Sequence, residues 1–317
     1  TASVGEKIKV SFAGQEKKTV AGKDGKWMVE LDKMEASSTG REMKVSGENT
    51  IVIKDVLVGE VWFASGQSNM ECPIWGNNPR YRDGKGAMMI NLKIRPLIRW
   101  AKNDKLHANA PLKLPRAKWY TYSPASFAGK KGNWLSAVAF YYALELHDAL
   151  GIPVGIVDSS WGGTNIDAWT PKSGFAMHPE LSDVPLMKKK NSDVSRASCL
   201  WNGMVASWTP FAIRGFIWYQ GCSNNFEAKR YCDKMHGLYD GWAKEFKNSD
   251  LKLYFVQLAP FKRSWFELQA SQSRFAAEEK NAGMAVVADA GNWHDIHPND
   301  KEVVARRLAL LALKRDY

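Results

Sequence analysis

Ser68 stands in the run Val61-Trp62-Phe63-Ala64-Ser65-Gly66-Gln67-Ser68-Asn69-Met70, where an apolar, aromatic-rich strand runs straight into a tight polar turn. In open α/β sheets the carboxyl ends of strands are where reacting ligands sit. A serine hydroxyl is a weak nucleophile until a base removes its proton. The far end of the chain offers that base and its orienting acid in Asp295-Ile296-His297-Pro298. Here His297 is the candidate base and Asp295 the candidate carboxylate. A Gly-X-Ser taken alone reads as a turn serine capping the next helix, so acyl-transfer chemistry must rest on further elements.

Two such elements are present. Ser159-Ser160-Trp161-Gly162-Gly163-Thr164 follows a strand, and its glycines let backbone N–H groups approach a ligand closely. An oxyanion hole needs donors of that kind. Ile217-Trp218-Tyr219-Gln220-Gly221-Cys222-Ser223-Asn224 is again a strand entering a polar turn, and Gln220 or Asn224 could add a side-chain amide. The candidate oxyanion donors are therefore Ser68, Gly163, Gln220 and Asn224. Asn69, Trp161 and Trp293 are the candidate substrate contacts. His294, Asp295 and His297 also have a metal-ligating look, but no further matched ligands accompany them, so no metal and no organic cofactor is expected. His107, His147, His178 and His236 carry no matching motif.

The elements that must position these residues are legible in the pattern. Residues 1–58 read as a small β-sandwich module. Ile8-Lys9-Val10-Ser11-Phe12 alternates, Asp24-Gly25 is a hairpin turn before a strand at 27–31, and 43–46 and 51–53 continue the pattern. Few aromatics argue for a structural rather than a sugar-binding module. Residues 59–317 alternate apolar strands with helices, which predicts an α/β fold, a doubly wound parallel sheet with helices on both faces. Strands are expected at 58–64, 94–101, 154–159, 215–220, 253–258 and 284–289, and helices at about 135–150, 226–247, 265–281 and 299–314, with Gly151 ending the first. The stretches 71–93 and 172–200 read as long loops.

Composition narrows the class. The 317 residues are 45% hydrophobic and 24% charged, as in globular chains. No apolar run approaches the roughly 18 residues of a membrane helix. The net charge of +11 allows a polyanionic partner, but the lysines are scattered apart from short runs at 130–131 and 188–190. No nucleic-acid reading module accompanies them, so nucleic acid is not expected as a partner. Cys72, Cys199, Cys222 and Cys232 include no CxxC; Cys222 and Cys232 are near enough in sequence to pair, or the thiols are free and buried.

Taken together, the blocks resemble the SGNH hydrolase superfamily, and within it the sialate O-acetylesterase-like carbohydrate acetylesterases. Gly66-Gln67-Ser68-Asn69-Met70-Glu71 resembles the first block. Trp161-Gly162-Gly163-Thr164 with Ala168-Trp169-Thr170-Pro171 resembles the second, Trp218-Tyr219-Gln220-Gly221 the third, and Asp295-Ile296-His297-Pro298 with Lys301 the last. The resemblance implies a nucleophile at Ser68, acid and base at Asp295 and His297, and an oxyanion hole using glycine backbone. It departs at Cys222, where the family's third block usually carries glutamate. It also implies a continuation beyond the last helix, which relatives often have.

The expectation is a serine esterase that removes O-acetyl groups from carbohydrate, secreted or periplasmic, whose partner is an acetylated glycan. The 14 tryptophans suit a sugar cleft: Trp75, Trp161, Trp265 and Trp293 lie near the site loops, whereas Trp62 and Trp218 lie within strands and belong to the core. A non-catalytic glycan-binding protein, a carbohydrate O-acetyltransferase and a lipid or thioester hydrolase are the alternatives. Sialic acid, xylan and pectin all carry suitable esters, and the pattern does not choose among them or fix an oligomeric state.

Overall fold

The computed structural model describes residues 1–74, 95–123, 135–184, 193–262 and 264–317. They divide into two compact units, Thr1–Glu60 and Val61–Tyr317. In the first, β1 (Lys7–Phe12), β2 (Gln15–Val20), β3 (Ser37–Ser46) and β4 (Thr50–Val58) form one antiparallel sheet in the order β2-β1-β3-β4. Ile8, Val10 and Phe12 are buried at every second position of β1, as a strand with one covered face requires.

The Asp24-Gly25 turn forms, with Gly25 at φ +70° and its N–H on the Gly22 carbonyl at 2.9 Å. The strand expected at 27–31 does not: these residues join no ladder. Side chains do the tethering instead. Lys17 Nζ lies 2.7 Å from Asp32 Oδ1, and the Asp32 N–H donates to Gln15 Oε1 at 2.7 Å. Alternating residues satisfy an extended chain without committing it to strand pairing.

The second unit is built on a seven-stranded sheet. In chain order its elements are β5 (Glu60–Gly66), α1 (Ser68–Glu71), β6 (Arg95–Lys102), β7 (Trp119–Tyr122), α2 (Ala137–Leu150), β8 (Val154–Ser160), α3 (Lys172–Met177), β9 (Gly215–Tyr219), α4 (Tyr231–Glu245), β10 (Lys252–Val256), α5 (Phe266–Glu278), β11 (Ala282–Ala285) and α6 (Lys301–Asp316). The strand order is β11-β10-β9-β5-β8-β6-β7. Pairing is parallel between β11 and β10, β10 and β9, β9 and β5, and β8 and β6. β7, a strand not expected from the sequence, pairs antiparallel at the edge beside β6. Four residues carry too little periodicity to announce a strand.

Helices flank the sheet on both faces. Successive residues of a strand point to opposite sides. Trp62 meets Tyr142 of α2 with ring centroids 5.3 Å apart, while Phe63 meets Trp242 of α4 at 5.4 Å. Trp62 and Trp218 are fully buried, as expected of strand tryptophans. α2 begins where Ser136 Oγ accepts the Ala139 N–H at 3.1 Å and ends at Gly151, φ +68°. The single helix expected over 226–247 is instead a 3-10 segment, Cys222–Arg230, followed by α4. Within the 3-10 segment the backbone leaves helical geometry at Glu227, whose carboxylate accepts from Lys234 Nζ at 2.7 Å. The expected long loop at 172–200 contains α3 and short helical turns, and its residues 185–192, with most of the loop at 71–93, lie outside the described residues.

The decisive feature for function is the centre of the sheet. From β5 the chain crosses to β6 and the edge strand β7, comes back to place β8 between β5 and β6, and then adds β9, β10 and β11 on the other side. β5 is thus the switch strand, and a crevice opens at the carboxyl ends where the order reverses. The three motif turns follow β5, β8 and β9, which are adjacent strands.

Candidate active site

The turn after β5 is set by backbone sterics. Gly66 pairs with Tyr219 of β9 and has φ +140°. A Cβ there would fall 2.3 Å from the Tyr219 carbonyl oxygen, so only glycine fits. Gln67 then donates its N–H to the same carbonyl at 3.0 Å, and its side-chain Oε1 accepts the N–H groups of Gly221 and Ser223, each at 3.2 Å. Ser68 is thereby presented at the first position of α1, 8% exposed.

The segment before α6 approaches from the other end of the chain. His297 Nε2 lies 2.9 Å from Ser68 Oγ, and His297 Nδ1 lies 2.9 Å from Asp295 Oδ1. The same Asp295 oxygen accepts the His297 backbone N–H at 2.9 Å, which keeps the carboxylate beside Nδ1. Asn292 organises the loop, its Oδ1 accepting the His294 N–H at 2.9 Å and its carbonyl the Asp295 N–H at 3.2 Å. Hydroxyl, imidazole and carboxylate in a hydrogen-bonded row form an arrangement that can activate a nucleophile. Burial holds the His297 imidazole below its ordinary range, opposed by the charge of Asp295 and assisted by that of Lys301. The ring therefore stays neutral, as a base must, down to lower pH.

The turn after β8 supplies backbone donors. Gly163 has φ +76°, and a Cβ there would meet nothing within 4 Å, so it borders open space. Its N–H and that of Ser68 donate to no partner among the described residues, whereas the Gly162 N–H is taken by Glu71 Oε2 at 2.5 Å. Glu71 is itself paired with Lys105, whose Nζ sits 5.5 Å above the Trp161 ring. Glu71 and Lys105 had no assigned role in the sequence reading. A helix-side glutamate and a loop lysine give no local signal that they meet.

Three expectations need correction. Gln220 is fully buried and its amide is spent: Nε2 donates to Thr164 O at 3.2 Å and to Asn224 Oδ1 at 2.7 Å, while Oε1 accepts the Tyr231 hydroxyl at 2.7 Å. Asn224 is equally buried, its Oδ1 also accepting the Ile166 N–H at 3.0 Å and its Nδ2 facing Glu227 at 3.5 Å. Both amides bind turn to turn and face away from solvent. Asn69 is no substrate contact either. It is 1% exposed, donates from Nδ2 to Ile296 O at 2.9 Å and accepts from Lys301 Nζ at 2.6 Å.

The tryptophans divide. Trp293 is 62% exposed and Trp161 is half-buried, so both offer ring surface, while Trp265 is buried against Phe261, rings stacked at 5.9 Å. Trp75 lies outside the described residues. All four cysteines are free, so Cys222 and Cys232 do not pair. Cys222 is neutral at physiological pH, because burial pushes its thiol up to about 12.

A family model described as carbohydrate esterase, sialic acid-specific acetylesterase, matches residues 58–305. The chain belongs to this family. Among curated relatives of this carbohydrate esterase family, the sialate O-acetylesterases of Homo sapiens and Pongo abelii are each 28% identical to it over 321 aligned positions, covering 90% of this chain. The chain spans 59% of the length of those two relatives. Among solved structures, a carbohydrate acetylesterase from Xanthomonas citri superposes with a TM-score of 0.85 at 31% identity, covering 98% of this chain and 68% of that one. The matched residues include Ser68, Gly163, Asp295 and His297, so the family's span encloses the hydrogen-bonded row. No helix among the described residues is long and apolar enough to cross a membrane.

Proposed function

We propose that the chain is a serine esterase that removes O-acetyl groups from carbohydrate. The observation that carries this reading is the row Ser68 Oγ–His297 Nε2–His297 Nδ1–Asp295 Oδ1, with 2.9 Å at each hydrogen bond. Membership of the sialic acid-specific acetylesterase family supports the ester and the sugar.

In this reading Ser68 Oγ attacks the acetyl carbonyl while His297 Nε2 takes its proton. Asp295 holds the imidazole in the tautomer with Nδ1 protonated and stabilises the imidazolium that forms. The Ser68 and Gly163 N–H groups receive the developing oxyanion. Collapse of the tetrahedral intermediate expels the sugar oxygen, which takes the proton from His297, and leaves an acetyl-serine. Water, deprotonated by His297, attacks that ester, releases acetate and restores the hydroxyl. No step calls for a metal or organic cofactor. Trp161 and Trp293 offer ring faces for the sugar. An acetylated glycan as partner fits a secreted or periplasmic setting, and the N-terminal β module is a structural appendage in which Phe12 is buried.

Acetate release from a panel of O-acetylated sialic acid, xylan and pectin tests the reading and names the glycan. Release from none of them, with binding retained, would instead indicate a glycan-binding protein. Acetylated product on an added sugar acceptor would indicate a transferase.

A further inference from the structure

Away from the Ser68 row, three side chains of different donor type converge between α4 and α5. Cys232 and His236 stand one turn apart on α4, so their side chains share a face. Glu278 closes the last turn of α5 opposite them. Its Oε2 lies 3.4 Å from Cys232 Sγ and 2.9 Å from His236 Nε2. The sulfur, ring nitrogen and carboxylate oxygen all lie within 4.8 Å of one another. A tetrahedral zinc ion, with sulfur at about 2.3 Å and nitrogen and oxygen at about 2.0–2.1 Å, sets donor-to-donor gaps of about 3.3–3.6 Å. Both measured gaps to Oε2 fall within about half an ångström of that range.

The surroundings aim the donors. Arg274 Nε lies 3.5 Å from Glu278 Oε1, and its guanidinium is anchored by Asp233 at 2.6 Å and also hydrogen-bonds the Cys232 sulfur, as it would a metal-bound thiolate, while Oε2 faces the cysteine and histidine. A carboxylate held through one oxygen while the other faces an ion is a common outer-shell arrangement. The His236 ring is fixed edge-on by Phe275 at 4.8 Å and flanked by His178 at 6.2 Å. Cys232 is buried, whereas the side chains of His236 and Glu278 are 22% and 48% exposed, so an ion has a path in and room for a water ligand.

We propose that Cys232, His236 and Glu278 bind a divalent transition-metal ion, zinc by the softness of the donors, with water as the fourth ligand. The ion displaces the thiol proton on binding and clamps α4 to α5. It shares no residue with the Ser68 row, so the esterase reaction does not depend on it.

The test is Co²⁺ titration of the full chain, stripped with chelator and kept reduced. One equivalent should bind, with a near-ultraviolet thiolate-to-cobalt band and visible tetrahedral bands, and Zn²⁺ should displace it. Cys232→Ser should lose the near-ultraviolet band, and Glu278→Gln, a half-exposed isosteric change whose folding is checked by circular dichroism, should weaken binding about tenfold or more. Zn²⁺ at a concentration that half-saturates the parent should raise the parent's Tm and shift both variants measurably less, and Cys232→Ser least. A thiolate band that persists in Cys232→Ser, or equal cobalt affinity in Glu278→Gln, would overturn the site. Acetate release, measured alongside with and without chelator, reports separately on the esterase.

Discussion

Lys301 Nζ lies 2.6 Å from Asn69 Oδ1, although the two residues are 232 positions apart. Lys301 is fully buried in the first turn of α6, and Asn69 directly follows Ser68. Because Asn69 also donates to the carbonyl of Ile296, one amide joins the serine turn, the histidine loop and the last helix. The distance between Ser68 and His297 is therefore set by neighbours that stand outside the row itself.

Ser68→Ala should abolish acetate release and leave the fold intact. Loss of a triad nucleophile lowers turnover by on the order of 10⁶-fold. The check is turnover by the purified variant, with circular dichroism to show that it is folded. Near-normal release would remove Ser68 from the mechanism.

The pH profile should report His297. Its pKa is held below the ordinary histidine range, chiefly through burial and with help from the Lys301 charge, against the opposing charge of Asp295. The neutral ring is the base, so the acid limb of kcat/KM should lie at lower pH than the titration of an unperturbed imidazole. Lys301→Met removes a positive charge beside the ring, which raises the pKa and moves the acid limb to higher pH. Rates on a simple acetyl ester from about pH 5 to about pH 8 would reveal the shift. An unmoved limb would confine Lys301 to packing.

Asp295→Asn should lower turnover about 10⁴-fold with little change in stability. The amide keeps the shape but favours the wrong imidazole tautomer. A loss under about tenfold would point to another carboxylate as the partner of His297.

Asn69→Ala should destabilise the protein by about 1–3 kcal/mol, since it removes one buried acceptor from the Lys301 ammonium, which keeps the Tyr219 ring beneath it at 5.7 Å. Turnover should fall as well, because the tie to Ile296 is lost. Chemical denaturation at constant m-value measures the first effect. A change under about 1 kcal/mol would show that Lys301 is held mainly by other groups.

Cys222→Ser should keep its turnover number. A neutral thiol with its pKa near 12 contributes no charge to the site. Cys222→Glu should gain less than about tenfold if Asp295 already orients the imidazole. A collapse in the serine variant with folding preserved, or a larger rise in the glutamate variant, would make the acid assignment incomplete.

Much of this arrangement was legible because the signals are local. An apolar strand ending in glycine and polar residues announces a turn at a sheet edge, and β5, β8 and β9 each do so. What could not be read is orientation. Whether the Gln220 amide faces a ligand or the interior depends on Thr164, Tyr231 and Asn224, which other elements bring to it. The same holds for Asn69, whose partners lie at the opposite end of the chain, and for Trp265, which looked like a site residue until Phe261 covered it. The strand expected at 27–31 failed for the converse reason. Its alternation is real, but no neighbouring strand claims it.

The separation between Ser68 and His297, 229 positions, also fixes an order of assembly. A chain emerging from its amino end presents the serine turn long before the histidine loop exists. Closing so long a loop costs entropy that only the packing of α6 onto the finished sheet repays. Any partly made or partly folded species therefore carries a bare serine with no base beside it. Hydrolysis by the proposed row becomes possible only once the histidine loop is in place, and ester turnover would report that α6 has docked.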